Sequence, residues 1–354
     1  MAAGTAVLCG LPAVVSALPV PTPPLSAAQL RTRIAASAAV PYQGYAASYV
    51  NLDLPSLPNL SNVVALLDGT THQYVWYRST RRWRADELTT AGEDDIYQTS
   101  QGTYLWDYSR NQLTKVVGNQ PVRLPRAADL LPPALGLRLL SFASRATRFS
   151  TLPAQRVAGV DAAGLRLVPA DPASTISAVQ IWAAPASGLP VKVEVFARGA
   201  AAPVLVSRFL DVSPTRPARS ALAPRPGPGI NLATTALPNA AGVLNSYGPP
   251  LPDVLGWIRR VANPAGLDDV AAYGAGFSRF AVVPLPHRTG AAVFSAASAA
   301  GVTITVAGSV AVVIETPLIT MLLVRSPGGP VYLLAGAVTA RRLEYAAASL
   351  LGSP

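Results

Sequence analysis

Val179-Gln180-Ile181 and Val191-Lys192-Val193-Glu194-Val195, with Ser187-Gly188 between them, decide the fold: apolar residues take the odd positions and polar or charged ones the even positions. A period of two is that of a β-strand with one face buried and the other in water. Ser187-Gly188 fits the hairpin turn joining such strands. Leu165-Arg166-Leu167 repeats the pattern upstream, and from Tyr42 to Asp211 the chain reads as short strands separated by turn residues. The reading is an antiparallel sheet with one apolar face.

Such a face needs a cover. Two segments supply one. Ser26 and Gln29 form a capping box, after which Leu30, Ile34 and Ala38 recur on one helical face until Pro41 ends the helix. Between Ala127 and Ala143, Leu130, Leu131, Leu135, Leu137, Leu139 and Leu140 crowd around Pro132-Pro133, which predicts a helix or a broken pair of helices lying across the sheet.

The chain has 354 residues, enough for two domains, and is half hydrophobic and only 13% charged, which excludes disorder. Its formal charge of +10 comes almost entirely from arginine, since Lys115 and Lys192 are the only lysines. Apart from Arg81, Arg82 and Arg84, Arg259 and Arg260, and Arg341 and Arg342, the arginines are scattered, so no stripe for a nucleic-acid backbone is expected. Peripheral attraction to anionic lipid headgroups suits the charge better. Residues 6 to 18 read as the apolar part of a secretory signal with Val15-Ser16-Ala17 as cleavage site, although a basic leading region is missing. Cys9, the single cysteine, lies inside it, so no disulfide forms within the chain. The later apolar stretch Gly301 to Val324 is broken by Glu315 and Pro317 and reads as strands, not as a membrane span.

The divisions that follow are a signal and proline-rich lead-in over 1–24, the sheet domain over 25–213, a proline-rich linker over 214–229 and a small α+β domain over 230–354. In the last, strands are predicted over Phe277–Pro284, Thr303–Thr316, Ile319–Val324 and Val331–Val338, and helices over Thr289–Ala299 and from the N-cap Thr339 to Gly352.

Catalytic chemistry has no positive signal. His72 and His287 fall in different predicted domains with no cysteine beside them, so no metal and no cofactor are expected. Glu93-Asp94-Asp95 beside Gly92 reads as a solvated turn in preference to a paired-carboxylate site. There is no nucleophile elbow or phosphate loop, and Gly274-Ala275-Gly276 lacks the third glycine of a dinucleotide fingerprint. No catalytic residue is assigned, and a secreted hydrolase is a remote alternative. Tyr74, Trp76, Tyr77, Trp83, Tyr104, Trp106 and Tyr108 concentrate in two strands, as cross-strand packing or as a cavity lining.

Val75-Trp76-Tyr77-Arg78 with Arg82-Trp83-Arg84, and the hairpin from Asp95 through Gln101-Gly102 to Tyr108, resemble strand pairs of the superfamily of the lipoprotein carrier LolA and the periplasmic sigma-factor regulator RseB, also called MucB. Leu52 to Pro58 looks like the version in actinobacterial members, and Tyr273 to Phe280, Val331 to Thr339 and Leu343 to Leu350 resemble the RseB C-terminal domain. The resemblance implies an unclosed antiparallel β-barrel with a helical lid, plus a smaller C-terminal α+β domain. Its implied cavity is lined by Leu105, Trp106, Leu165, Leu167, Val179, Ile181, Val193 and Val195, under a lid of Leu30, Ile34, Leu130, Leu131 and Leu135. Arg78 is the nearest match to the arginine that holds the lid in the carriers. The function implied is a non-enzymatic periplasmic or cell-envelope protein that binds an acyl chain, lipid or lipidated protein; the alternative is an envelope-stress regulator that binds an anti-sigma factor.

Overall fold

The computed structural model describes residues 20, 24–54, 61–90, 92–117, 125–224, 229–236, 251–261 and 271–352. The predicted signal with Cys9, the stretch Pro55–Pro58 and part of the linker lie outside the described residues. A large sheet runs in the order β12-β6-β5-β4-β3-β2-β1-β11-β10-β9-β8-β7. Its strands are β1 (Tyr42–Asn51), β2 (Asp68–Ser79), β3 (Arg82–Thr89), β4 (Gly92–Thr99), β5 (Gly102–Asp107), β6 (Gln112–Val117), β7 (Arg148–Val157), β8 (Val160–Val168), β9 (Ile176–Ala183), β10 (Pro190–Ala197), β11 (Leu205–Ser213) and β12 (Asn231–Ala236). Two antiparallel meanders, β1–β6 and β7–β11, meet where β1 pairs with β11, and the end strands β12 and β7 do not pair, so the barrel stays open.

Helix α1 (Ala27–Ala36) begins at the expected capping box: the Ser26 amide donates to Gln29 Oε1 at 2.9 Å, and the Gln29 amide donates to Ser26 Oγ at 3.2 Å. Leu30 and Ile34 are buried against the sheet. A short helix α2 (Ser61–Leu67) precedes β2. The segment between the two meanders is the second cover, a 3₁₀ turn at Ala127–Leu130 followed by α3 (Pro132–Ser141). Pro132-Pro133 sets the break, because a residue before proline avoids helical geometry and proline is suited to the first helical turn.

The smaller sheet runs β13-β14-β15-β16-β20-β19-β18-β17. It comprises β13 (Val254–Leu255), β14 (Ile258–Val261), β15 (Ala271–Tyr273), β16 (Phe280–Leu285), β17 (Val302–Val306), β18 (Ser309–Glu315), β19 (Thr320–Arg325) and β20 (Val331–Gly336). Helix α4 (His287–Ala300) buries Phe294 and Ala297 against Val312 and Leu323; α5 (Ala340–Gly352) buries Leu343 and Ala347 in a separate cluster with Leu322 and Leu334. Neighbours along a strand point to opposite faces, so the helices cover both sides, and the middle strands are apolar throughout.

Two expectations need correction. The chain after the linker does not enter the small domain at residue 230: Asn231–Ala236 pairs in parallel with Gln112–Val117 at the open edge of the large sheet, where Asn111 Nδ2 donates to the Gly229 carbonyl at 3.0 Å. The edge amides and carbonyls of β6 take the passing chain as a partner. Thr303–Thr316 is a hairpin, not one strand, turning at Ala307-Gly308, both with positive φ. Alanine in a position that usually carries asparagine or aspartate hid the turn.

The sheets are joined by the loop after β8. The Thr339 amide donates to the Ala173 carbonyl at 2.8 Å, the Thr175 amide to the Ala337 carbonyl at 3.1 Å, and Arg342 pairs with Asp171 at 3.2 Å. Burial raises the Asp171 pKa, but the Ala173 amide and the Arg342 guanidinium outweigh it and hold the carboxyl below its ordinary value. Its stabilising contribution is present above the unfolded value of about 3.9 and disappears as pH falls through the lower folded value. Acidification through this range is expected to raise amide exchange in 171–175, and Arg342→Ala should raise exchange there already at neutral pH, as read by hydrogen-exchange mass spectrometry.

Candidate binding site beneath the lid

The lid is held by side chains that face inward from the large sheet. Ser48 of β1 and Ser207 of β11, directly opposite in register, both donate to the Leu130 carbonyl, Ser48 at 3.1 Å. Gln73 of β2, fully buried, donates to the Ala127 carbonyl at 2.9 Å. A 3₁₀ turn leaves carbonyls without partners along its own chain, and these three inward-facing polar residues satisfy them. Tyr77 adds a 2.6 Å hydrogen bond to the Ala38 carbonyl just after α1, its ring stacked 4.9 Å from that of Tyr42.

Gly188 seats α1. Its φ is +72°, and a β-carbon there would stand 2.2 Å from the Arg33 carbonyl oxygen, so the β9–β10 turn fits under the helix end only as glycine. Arg33 returns a hydrogen bond to the Pro185 carbonyl.

Beneath this lid the space divides. Leu165, Leu167, Val179, Ile181, Val193 and Val195, each at most 2% exposed, join Leu30, Ile34, Leu130 and Leu135 in one cluster. The alternation placed these residues inward, but the leucines of the lid fill the space that the sequence reading left hollow. These strand positions are therefore packed core. Leu131 belongs to a second cluster, with Tyr42, Val75, Ala85 and Ile96.

The open space lies under the other half of the lid. A cavity of about 290 Å³ is bounded by Tyr42, Val75, Tyr77 and Trp83 from the sheet and by Leu131 and Leu137 from the lid. Its lining is mostly apolar, with Asp129 and Thr80 as polar members. Leu105 and Trp106 line a different pocket of about 420 Å³, shared with Gln73, Glu87, Asp94, Asp107 and Arg110. A third hollow, of about 600 Å³, opens between α1 and α3 at Leu137, Leu140 and Phe149, with the Arg31 guanidinium 4.9 Å over the Phe149 ring.

Arg78 does not hold the lid. Its guanidinium donates to the Pro217 carbonyl at 3.2 Å, on the segment after β11, among the charges of Arg82, Arg216 and Arg219. Tyr77, one position earlier, makes the lid contact, because adjacent strand residues face opposite sides. The aromatic set divides likewise: Tyr77 and Trp83 reach the cavity, while Tyr74 is 42% exposed and lies 6.1 Å from the Trp76 ring.

Glu93-Asp94-Asp95 is not a solvated turn. It lies within β4, and Asp95 is buried beside Asp86 of β3, its cross-strand partner. Burial pushes the Asp86 carboxyl up to about 7 against the opposing pull of Arg84, and burial likewise raises Asp95. The sequence reading missed Ser48, Gln73, Ser207 and Asp86, whose one local signal is a polar residue at a buried strand position.

These observations define a class: a lidded, unclosed half-barrel followed by a smaller α+β domain. The chain is similar in fold to the Pseudomonas aeruginosa MucA/MucB complex, with a TM-score of 0.50, 17% identity, and 92% of this chain and 97% of that chain covered. A crystal structure of MucB with MucA(peri) gives a TM-score of 0.50 and 17% identity over 91% and 97%. A LolA superfamily protein from Nitrosomonas europaea matches at a TM-score of 0.24 and 10% identity, over 57% and 99%, too slight to carry an argument. No protein-family model matches the chain, and no curated protein does. At these identities the likeness to MucB shows the fold, which is the lidded half-barrel with a second domain that the strand motifs resemble.

Gly188→Ala is expected to cost about 2 kcal/mol, from the positive φ together with the clash at Arg33. A lower denaturation midpoint with early proteolysis in 27–36 checks it; an unchanged midpoint contradicts the seating of α1.

Proposed function

We propose that this chain is a non-enzymatic binding protein of the cell envelope, acting outside the cytoplasmic membrane, that takes up an acyl chain of a lipid or lipidated protein beneath the lid. The apolar cavity between Tyr42, Val75, Tyr77 and Trp83 and the lid residues Leu131 and Leu137 carries the reading. About 290 Å³ stands at the lower limit of the roughly 300–1,000 Å³ typical of small-molecule pockets, so a longer guest must lift the lid. The polar clamp opposes such movement through a few hydrogen bonds of about 1 kcal/mol each, and Leu131 must leave its apolar cluster as well. Among the described residues no helix is long and apolar enough to cross a membrane.

A second reading is regulatory. The likeness to MucB extends through both domains, and MucB is crystallised with MucA, which favours a protein partner here as well. In that role the chain would bind the extracytoplasmic part of an anti-sigma factor, with the acyl chain as the signal that alters this affinity.

Each methylene buried contributes about 0.8 kcal/mol, so fatty-acid affinity is expected to rise roughly fourfold per added carbon until the cavity is full. Quenching of tryptophan fluorescence measures this, and Leu137→Arg should abolish it. Ligand-free native mass spectra of protein from its own envelope, with no uptake of fatty acid, would overturn the lipid reading. Capture of the anti-sigma segment by such protein would leave the regulatory reading standing.

A further inference from the structure

On the face of β3 and β4 turned away from the lid, acidic residues gather in greater number than their basic partners. Asp86 and Asp95 are directly opposite in register and are 2% and 4% exposed, with Glu93 half-buried two residues before Asp95. One carboxylate oxygen from each of the three lies within 4.8 Å of the others. The 3₁₀ turn Arg219–Leu222 packs against both strands.

Arg84 is the cation bonded to this group, its Nε 2.5 Å from Asp86 Oδ1 and its Nη2 2.9 Å from Asp95 Oδ2. Among the described residues, Arg84 is the one cation ion-paired with any of these three carboxyl groups. The hydrogen bonding is incomplete in the same place. Asp95 Oδ2 accepts from Arg84 and, at 2.8 Å, from the Tyr97 hydroxyl, whereas Asp95 Oδ1 is buried with no hydrogen-bond partner. A bare carboxylate oxygen out of water is costly, and like charges facing each other across a strand pair add to the penalty. A proton shared between Asp86 and Asp95 relieves part of this, and a bound cation relieves all of it.

The geometry points to a site for a hard divalent cation of the calcium class, held by Asp86, Glu93 and Asp95. The available ligands are all oxygens, the donor set that such ions take in preference to zinc or copper. The three oxygens, within 4.8 Å of one another, need only small side-chain shifts to meet a single ion at the roughly 2.3–2.6 Å of calcium coordination. A divalent ion cancels the residual charge, gives Asp95 Oδ1 a partner and ties β3 to β4 under the 219–222 turn. Arg84 stays in place as the outer partner that orients two of the ligands, a role in which hydrogen-bonded neighbours tune ion affinity. This site is independent of the lid cavity and of the proposed function.

The test uses the full chain stripped of metal by chelation. Calcium is titrated calorimetrically, and terbium serves as an optical probe excited through Tyr97, whose hydroxyl bonds to the proposed ligand Asp95. Saturable uptake of one calcium per chain, with a higher unfolding temperature and tyrosine-sensitised terbium emission, is the expected result. Glu93→Gln, at a half-buried position, should weaken calcium about tenfold or more, and Asp95→Asn should abolish it. Two results would overturn the proposal: no calcium uptake by the wild-type chain up to about 10 mM, above the ~10⁻³ M affinities of weak extracellular sites, or uptake unchanged in Glu93→Gln.

Discussion

An open sheet with apolar side chains on its inner face must be covered, and every other feature of the large domain follows from how this is done. A closed barrel fills its interior from its own strands. Here β12 and β7 do not pair, so two chain segments outside the sheet supply the missing contacts. Leu30 and Ile34 come from before the first strand, and Leu130 and Leu135 from the connection between the meanders. The second segment brings exposed carbonyls with it, and Ser48, Gln73 and Ser207 interrupt the apolar face to satisfy them. Covering the face thus sets both the apolar seam and the polar clamp.

The break at Leu131 divides the cover into unequal parts. On one side the leucines of the lid interdigitate with β8–β10 as tightly as an ordinary core. On the other, the 3₁₀ turn and the start of α3 stand over Tyr42, Tyr77 and Trp83, rigid rings that do not collapse into the remaining space. A guest therefore finds a firm wall on the sheet side and a movable one on the lid side. The small domain is joined through the 171–175 loop to strands beside the packed half, so movement at the cavity need not break the contact between the sheets.

The unlidded face obeys different electrostatics. Water solvates the exposed polar residues of most open sheets, yet Asp86 and Asp95 are buried side by side, and burial with mutual repulsion raises their proton affinity. Among the described residues, Arg84 is the cation that offsets them. The strands bearing this cluster carry Ala85 and Ile96 on the opposite face, in the core that also holds Leu131. Whatever neutralises the acids also stiffens one wall of the domain.

Sequence alone determined the elements whose causes are local. The alternation at 165–167, 179–181 and 191–195 faced those side chains inward, Ser26 and Gln29 started α1, and Pro132-Pro133 broke the lid, because spacings of one to three residues act within a single segment. The hairpin at Ala307-Gly308 escaped that reading because its turn lacks the usual residue, and β12 escaped because its partner lies over a hundred residues away. Only the tertiary structure decided where the hollow lies, that Tyr77 and not Arg78 meets the lid, and that Asp95 is buried opposite Asp86. Periodicity says which way a side chain points; what it meets depends on segments that only folding brings together.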